Sequence, residues 1–363
     1  MPSILRSSAA LASRLVRHAW EGWSAFFFRP ADALPLGVVR IGVGSLLVWN
    51  LLVLGLDLPD YLGSEGWIGP EANAQYLAEH TPGAWSIWFW VPDRWLWPAW
   101  GACVAFAASF TLGFYSRTTA LLSWIAIVSL ARRMPVALFG FDLTLSNWVF
   151  YLAAFGASGH ALSVDRYLAF RRRRAAGSST RCKGEADASR GEAWSSRTTG
   201  ANLSLRMIQL HLAVVYGCAG LSKLSGPEWL DGTALEMLVL TPEFRRFDLA
   251  WTLRYPTILM LSTYAGLFLE LAYPILIWLR RWRWLVIADV SLMHVAIDLM
   301  LGLREFGLAM IVANLAFLPL ARRRRTAEPA AAPTAIREAS VVAGRLRRSR
   351  EAITRWVYQL GCQ

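Results

Sequence analysis

The sequence predicts an all-α polytopic membrane bundle of about eight transmembrane helices, with a range of about seven to nine. Three observations carry that expectation. Of 363 residues, 55% are hydrophobic and only 17% are charged, more apolar surface than a soluble domain of this length hides, so the excess faces lipid. Apolar runs approach the roughly 20 residues that cross a bilayer. Arginines cluster in alternate connections between those runs, which orients helices across a membrane. The 19 Trp residues point the same way, because an amphipathic indole sits best where hydrocarbon meets headgroups.

Residues 1–30 open the chain as an amphipathic interfacial segment. Leu11, Leu15, Ala19, Trp23 and Phe27 recur at helical spacing, with Arg6, Arg14 and Arg17 among them, as in a helix lying along the inner leaflet. The segment lacks the compact apolar core and small-residue cleavage site of a signal peptide. Residues 31–320 form the transmembrane domain, with apolar runs near 34–56, 98–115, 118–139, 143–162, 205–222, 256–279, 284–302 and 305–320. With a cytoplasmic N-terminus, the acidic loop carrying Asp57, Asp60, Glu65, Glu71, Glu79 and Asp93 falls outside. The arginines at 171–174, 280, 281, 283 and 322–325 then fall inside, and an even count makes both termini cytoplasmic.

The third run is the weak one: it is followed by Arg132, Arg133 and Pro135, so a broken or re-entrant helix is an alternative there. Residues 166–204 read as a flexible cytoplasmic loop, Ser-, Gly- and Thr-rich over 175–200, and 321–363 as a basic tail resting on the membrane. No inverted repeat is evident, which weakens a transporter reading.

The formal charge of +12 does not indicate a nucleic-acid partner, because the arginines flank apolar runs instead of forming a basic domain interleaved with aromatics. The lipid bilayer, with some attraction to its anionic headgroups, is the expected partner. Cys103, Cys182, Cys218 and Cys362 show no CxxC, and five scattered histidines cannot supply a di-iron centre, so no metal is expected.

Ionisable groups inside spans need a partner, a cavity or a function. Arg40, Glu270, Asp289, His294 and Asp298 qualify. His294 and Asp298 are four apart on one helix face, where a carboxylate can orient an imidazole or pass a proton. Arg40 and Glu270 are expected to neutralise each other across the bundle. Lys223 ends the fifth run. From spacing alone it reads as an interfacial anchor that snorkels, yet a partly desolvated lysine also gives up its proton more readily, as a general base must.

The run Val215-Tyr216-Gly217-Cys218-Ala219-Gly220-Leu221-Ser222-Lys223-Leu224, followed by Trp229 and Asp231-Gly232, resembles the YFxAGxKKL…W…G signature of the vitamin K-dependent γ-carboxylases. Gly159-His160-Ala161-Leu162-Ser163-Val164-Asp165 is similar to that family's NHYWSVD segment. Phe28-Arg29-Pro30, Val39-Arg40-Ile41 and the spacing of His294 and Phe306 resemble the bacterial horizontally transferred transmembrane (HTTM) family.

The resemblance implies that Lys223 deprotonates a reduced vitamin K or menaquinol and that His160 assists. The quinol is then oxygenated to an epoxide, and the strong base formed on the way removes a glutamyl γ-proton so that the carbanion captures carbon dioxide. Ser222 stands where the family has the first lysine of its pair. With only a basic tail after the helices, propeptide-directed carboxylation is not expected.

Two function classes fit: a quinol-dependent oxygenase or carboxylase, or a non-catalytic or differently catalytic HTTM protein working with a thioredoxin-like redox partner. Transport rests only on Glu270, Asp289 and Asp298. The expected location is an integral, multi-pass position in the membrane, the cytoplasmic membrane in a bacterium.

Overall fold

The computed structural model describes residues 2–135, 140–155, 158–176, 196–241 and 247–320. The helices are α1 (Pro2–Phe28), α2 (Leu34–Leu54), α3 (Leu58–Leu62), α4 (Pro70–His80), α5 (Leu96–Leu112), α6 (Ser116–Arg133) and α7 (Gly140–Ala154). They continue as α8 (Val164–Ala176), α9 (Thr199–Lys223), α10 (Pro227–Leu230), α11 (Ala234–Leu240), α12 (Pro256–Leu276), α13 (Arg283–Leu301) and α14 (Arg304–Asn314). Besides helices there is one antiparallel pair of two-residue strands, β1 (Ala31–Asp32) and β2 (Arg197–Thr198), with Ala31 opposite Thr198. The fold is all-α.

Among the described residues, five segments are long and apolar enough to cross a membrane: Leu34–Leu62, Asp93–Leu112, Thr199–Lys223, Pro256–Leu276 and Arg283–Leu301. A helix also stands at each of the other three predicted runs, but α7 has 15 residues and α14 only 11. At 1.5 Å per residue these reach about 22 and 16 Å, short of a hydrocarbon core of about 30 Å. The 18-residue α6 is long enough but carries Arg117, Arg132 and Arg133 and is too polar, so among the described residues five full-length candidate spans remain.

Leu52, Leu121, Phe268 and Leu292 point outward from the bundle. In water such a surface would drive association, whereas in a bilayer it is the lipid-facing side.

Two buried guanidinium groups fasten opposite ends of the bundle. Arg40 on α2 is fully buried and donates to the carbonyl oxygens of Ser158, Ala161 (3.0 Å) and Leu162 (2.6 Å). The segment it holds is closed again by Asp165, whose carboxylate accepts from the amides of Tyr115 (2.9 Å) and Ser116 (2.7 Å) at the start of α6. At the other end Arg133 is fully buried too, donating to the carbonyl oxygens of Leu62, Gly63 and Ile68. Thus α6 runs unbroken to Arg133, and the arginine that suggested a re-entrant helix anchors the loop between α3 and α4 instead.

The expected flexible loop 166–204 is corrected at both margins. Residues up to Ala176 continue α8, and Thr198 caps α9 by accepting from the Ala201 amide at 3.0 Å. Its centre, 177–195, and the tail 321–363 lie outside the described residues. At the close of α1, Asn202 donates to the carbonyl oxygens of Phe26 (2.7 Å) and Phe27 (3.0 Å), satisfying helix-end acceptors. Arg206 stacks its guanidinium 4.1 Å from the Phe26 ring. The end of α1 is thereby tied to the first turns of α9.

Candidate functional site: an ion pair above a buried polar chain

The site grows from the antiparallel packing of α9 on α12. Gly217 and Gly220 remove side chains where the helices meet: a Cβ at Gly220 would stand 3.0 Å from the Leu271 backbone nitrogen, and one at Gly217 3.2 Å from the Pro274 ring. Tyr216, Gly217, Gly220 and Lys223 fall on this face by helical spacing, and on α12 Glu270 and Tyr273 answer them.

Helical side chains lean toward their own N-terminus, so on antiparallel helices those of Lys223 and Glu270 lean toward each other along the bundle axis. They meet with Lys223 Nζ 2.6 Å from Glu270 Oε2. The two side chains are 23% and 10% exposed, and the Trp229 ring lies 4.9 Å from the ammonium. Lys223 is neither freely hydrated nor an outward snorkelling anchor. The amine and carboxylate are held within one span's length, where the low dielectric strengthens their attraction.

One level deeper lies a chain of neutral polar groups. Tyr216 Oη is 2.7 Å from His294 Nε2 on α13, and the Tyr216 and Tyr273 rings pack with centroids 4.1 Å apart and planes tilted by 34°. Tyr273 donates its hydroxyl to Asn314 Oδ1 at 2.7 Å, and Asn314 Nδ2 donates to the Met310 carbonyl at 2.8 Å and faces Tyr216 Oη at 3.5 Å. All four side chains are buried. The two levels communicate, for Lys223 lies within electrostatic range of His294, and Glu270 within range of Tyr216.

Residues 185–321 match the family model of the HTTM domain. Over that stretch the chain is similar to the HTTM domain. The match encloses Lys223, Glu270, Tyr216, Tyr273, His294 and Asn314, whereas Arg40 and His160 lie before it. No curated protein and no solved structure matches the chain.

Several predicted roles change against this geometry. His160 is not beside Lys223. Its Nδ1 lies 3.1 Å from Ser196 Oγ, three residues before α9 begins, while Lys223 ends that unbroken 25-residue helix. The separation along α9 is about 35–40 Å at 1.5 Å per residue. Desolvation, and then the positive Arg166, hold the His160 imidazole below its ordinary pKa of 6.5. Arg40 does not pair with Glu270, because both terminal guanidinium nitrogens donate to main-chain carbonyls and Lys223 takes the carboxylate.

His294 is not oriented by Asp298: its Nε2 engages Tyr216 and its Nδ1 has no hydrogen-bond partner. Asp298, one turn further along α13, lies 3.9 Å from Arg304. Tyr273 and Asn314 carry no charge and so do not stand out among the polar groups of the spans; a neutral asparagine inside the apolar run 305–320 is the signal that could have marked Asn314.

Among the described residues no cluster of His, Cys, Asp and Glu has the form of a metal site. An apolar depression is lined by Leu235, Val239, Phe247 and Leu249, with Leu259 of α12 and Leu301 of α13. Leu259 lies on the same stripe of α12 as Glu270, about 20° away around the helix, and Leu301 on that of α13 as His294.

Proposed function

We propose that this HTTM protein handles a proton of a lipid-soluble quinol at the Lys223–Glu270 pair, as a quinol-dependent oxygenase or carboxylase would in its first step. The observation that carries the proposal is the 2.6 Å ion pair held inside a span and sharing its helix face with the buried polar chain. The resemblance of 215–224 to the carboxylase signature, with Lys223 in the base position, supports it. The apolar depression supports a ligand with an apolar tail, since Leu259 and Leu301 continue the stripes that carry Glu270 and His294.

In the resting pair the proton sits on the amine. A quinol hydroxyl arriving there gives up its proton to the pair. Whether the proton passes first to the carboxylate or to an amine that has already protonated Glu270, the outcome is the same: a quinolate beside the Lys223 ammonium and a neutral Glu270 acid. The positive charge then stabilises the anion as it forms, in a site where electrostatic effects exceed those in water. Trp229 walls the ammonium from solvent.

The same reading places about eight helices in the membrane, with α7 and α14 penetrating without spanning fully. Residues 1–30 lie on the inner leaflet, both termini are cytoplasmic, and 321–363 form a basic tail. The test is purified protein given menaquinol, oxygen and a glutamyl peptide, with products read by mass spectrometry. Menaquinone epoxide formed by the wild type and lost in Lys223→Ala supports the proposal. Epoxide formed equally by both refutes it. A wild type that turns over no quinol favours the reading as a non-catalytic HTTM protein acting with a thioredoxin-like redox partner.

A further inference from the structure

The direction of hydrogen bonding through the buried chain follows from which atoms can only accept. The Met310 carbonyl is an acceptor, so the Asn314 atom 2.8 Å from it is the amide nitrogen, and the oxygen faces Tyr273. Asn314 therefore takes the Tyr273 hydroxyl proton and presents only N–H toward Tyr216. The Tyr216 hydroxyl proton has one acceptor within reach, His294 Nε2 at 2.7 Å. A neutral imidazole that accepts at Nε2 carries its proton on Nδ1.

Within the hydrogen-bonded set of Tyr216, Tyr273, His294 and Asn314, Nδ1 is the one side-chain polar atom without a partner, on a ring only 2% exposed. An unpaired N–H at that depth is a standing cost that a ligand oxygen would remove. Phe306, edge-on with its centroid 5.2 Å from the imidazole centroid, adds an apolar wall.

We infer that His294 Nδ1–H is a preset hydrogen-bond donor for the carbonyl or phenolate oxygen of a lipid-soluble ligand, with the Tyr273–Asn314–Tyr216 chain fixing its tautomer. The ligand class rests on the proposed function, but the donor and its direction do not. The oxygen bound at His294 belongs to the same small molecule whose hydroxyl meets Lys223, so the histidine that completes this site is His294 and not His160.

The test uses full-length protein in lipid nanodiscs with 15N-labelled histidine, the His294 resonances being identified by their loss in His294→Gln. The wild type is expected to show neutral His294 protonated on Nδ1, and Tyr216→Phe to show the Nε2-protonated form as well. Addition of menaquinone-4 is expected to shift the Nδ1–H resonance, in the wild type and in Lys223→Ala alike, and His294→Phe to bind this probe at least tenfold more weakly. A wild-type His294 protonated on Nε2 or doubly protonated overturns the inference, as does a tautomer unmoved by Tyr216→Phe. A resonance unmoved by menaquinone-4 overturns the ligand assignment. Because no outcome reads turnover, failure of the Lys223 chemistry would leave these results distinct.

Discussion

Replacing Lys223 by methionine strands the Glu270 carboxylate, whose side chain is 10% exposed and has the ammonium as its charge partner at 2.6 Å. Breaking a buried pair by removing one ion costs about 3–5 kcal/mol, and the partial exposure of Lys223 places this case near about 3 kcal/mol. The reverse change, Glu270→Leu, is milder at about 1–2 kcal/mol, because a lysine has a flexible stem and can turn its head toward water. The two losses sum to about 4–5 kcal/mol. The double variant Lys223→Met/Glu270→Leu removes both charges and leaves an apolar contact, so it is expected within about 1 kcal/mol of the wild type. The assay is reversible unfolding in mixed micelles, run as a complete double-mutant cycle. Additive losses, with the double variant as unstable as the sum of the singles, would refute the claim that these groups are each other's partner.

The guanidinium clamps give further expectations. Arg40→Met leaves the Ala161 and Leu162 carbonyls without their donor and is expected to destabilise by about 2–4 kcal/mol, read as a lowered thermal midpoint; no change would contradict the clamp. Gly220→Val forces α9 away from Leu271, so Lys223 and Glu270 should lose their coupling in the cycle above. His160→Gln should leave quinol turnover at the wild-type level, and a loss as large as that of Lys223→Ala would return His160 to the site. Because the folded His160 ring has a lowered pKa, the unfolded chain binds its proton first as pH falls. That contribution to stability is present above about pH 6.5 and is lost below it. His160→Gln should therefore shrink the difference in melting temperature between pH 7.5 and pH 5, and an unchanged difference would count against it.

Bulk properties made the membrane class legible, because lipid-facing helices cannot be built from a soluble composition. Run length was less faithful. An apolar stretch at 305–320 looks like a span, yet it folds as an 11-residue helix followed by a short 3-10 turn, and hydropathy does not register where a helix stops. Lys223 and Glu270 each stood out in the sequence as ionisable groups at or inside apolar runs. Their pairing did not, because pairing across antiparallel helices depends on register and on the lean of both side chains, which no spacing within one segment encodes.

Arg40 was matched to the wrong acceptor for a related reason. Opposite charge is the simplest way to satisfy a buried cation, but an irregular segment such as 158–162 offers carbonyl oxygens that serve as well. His294 and Asp298 share a helix face as expected, and still the imidazole turned to Tyr216, a residue 78 positions away. Local geometry allowed the i, i+4 pair, and the Tyr216 hydroxyl reaching across from α9 offered a better one.

The claim at the centre of the account is that the Lys223–Glu270 pair takes a proton from a quinol. Infrared difference spectra recorded without oxygen, as menaquinol binds the protein in nanodiscs, read that transfer directly. The account predicts that a carboxylate signal gives way to a protonated carboxyl signal together with quinolate absorption, and that the carboxyl change disappears in Glu270→Gln. Bound menaquinol with Glu270 still ionised and no quinolate formed would contradict it.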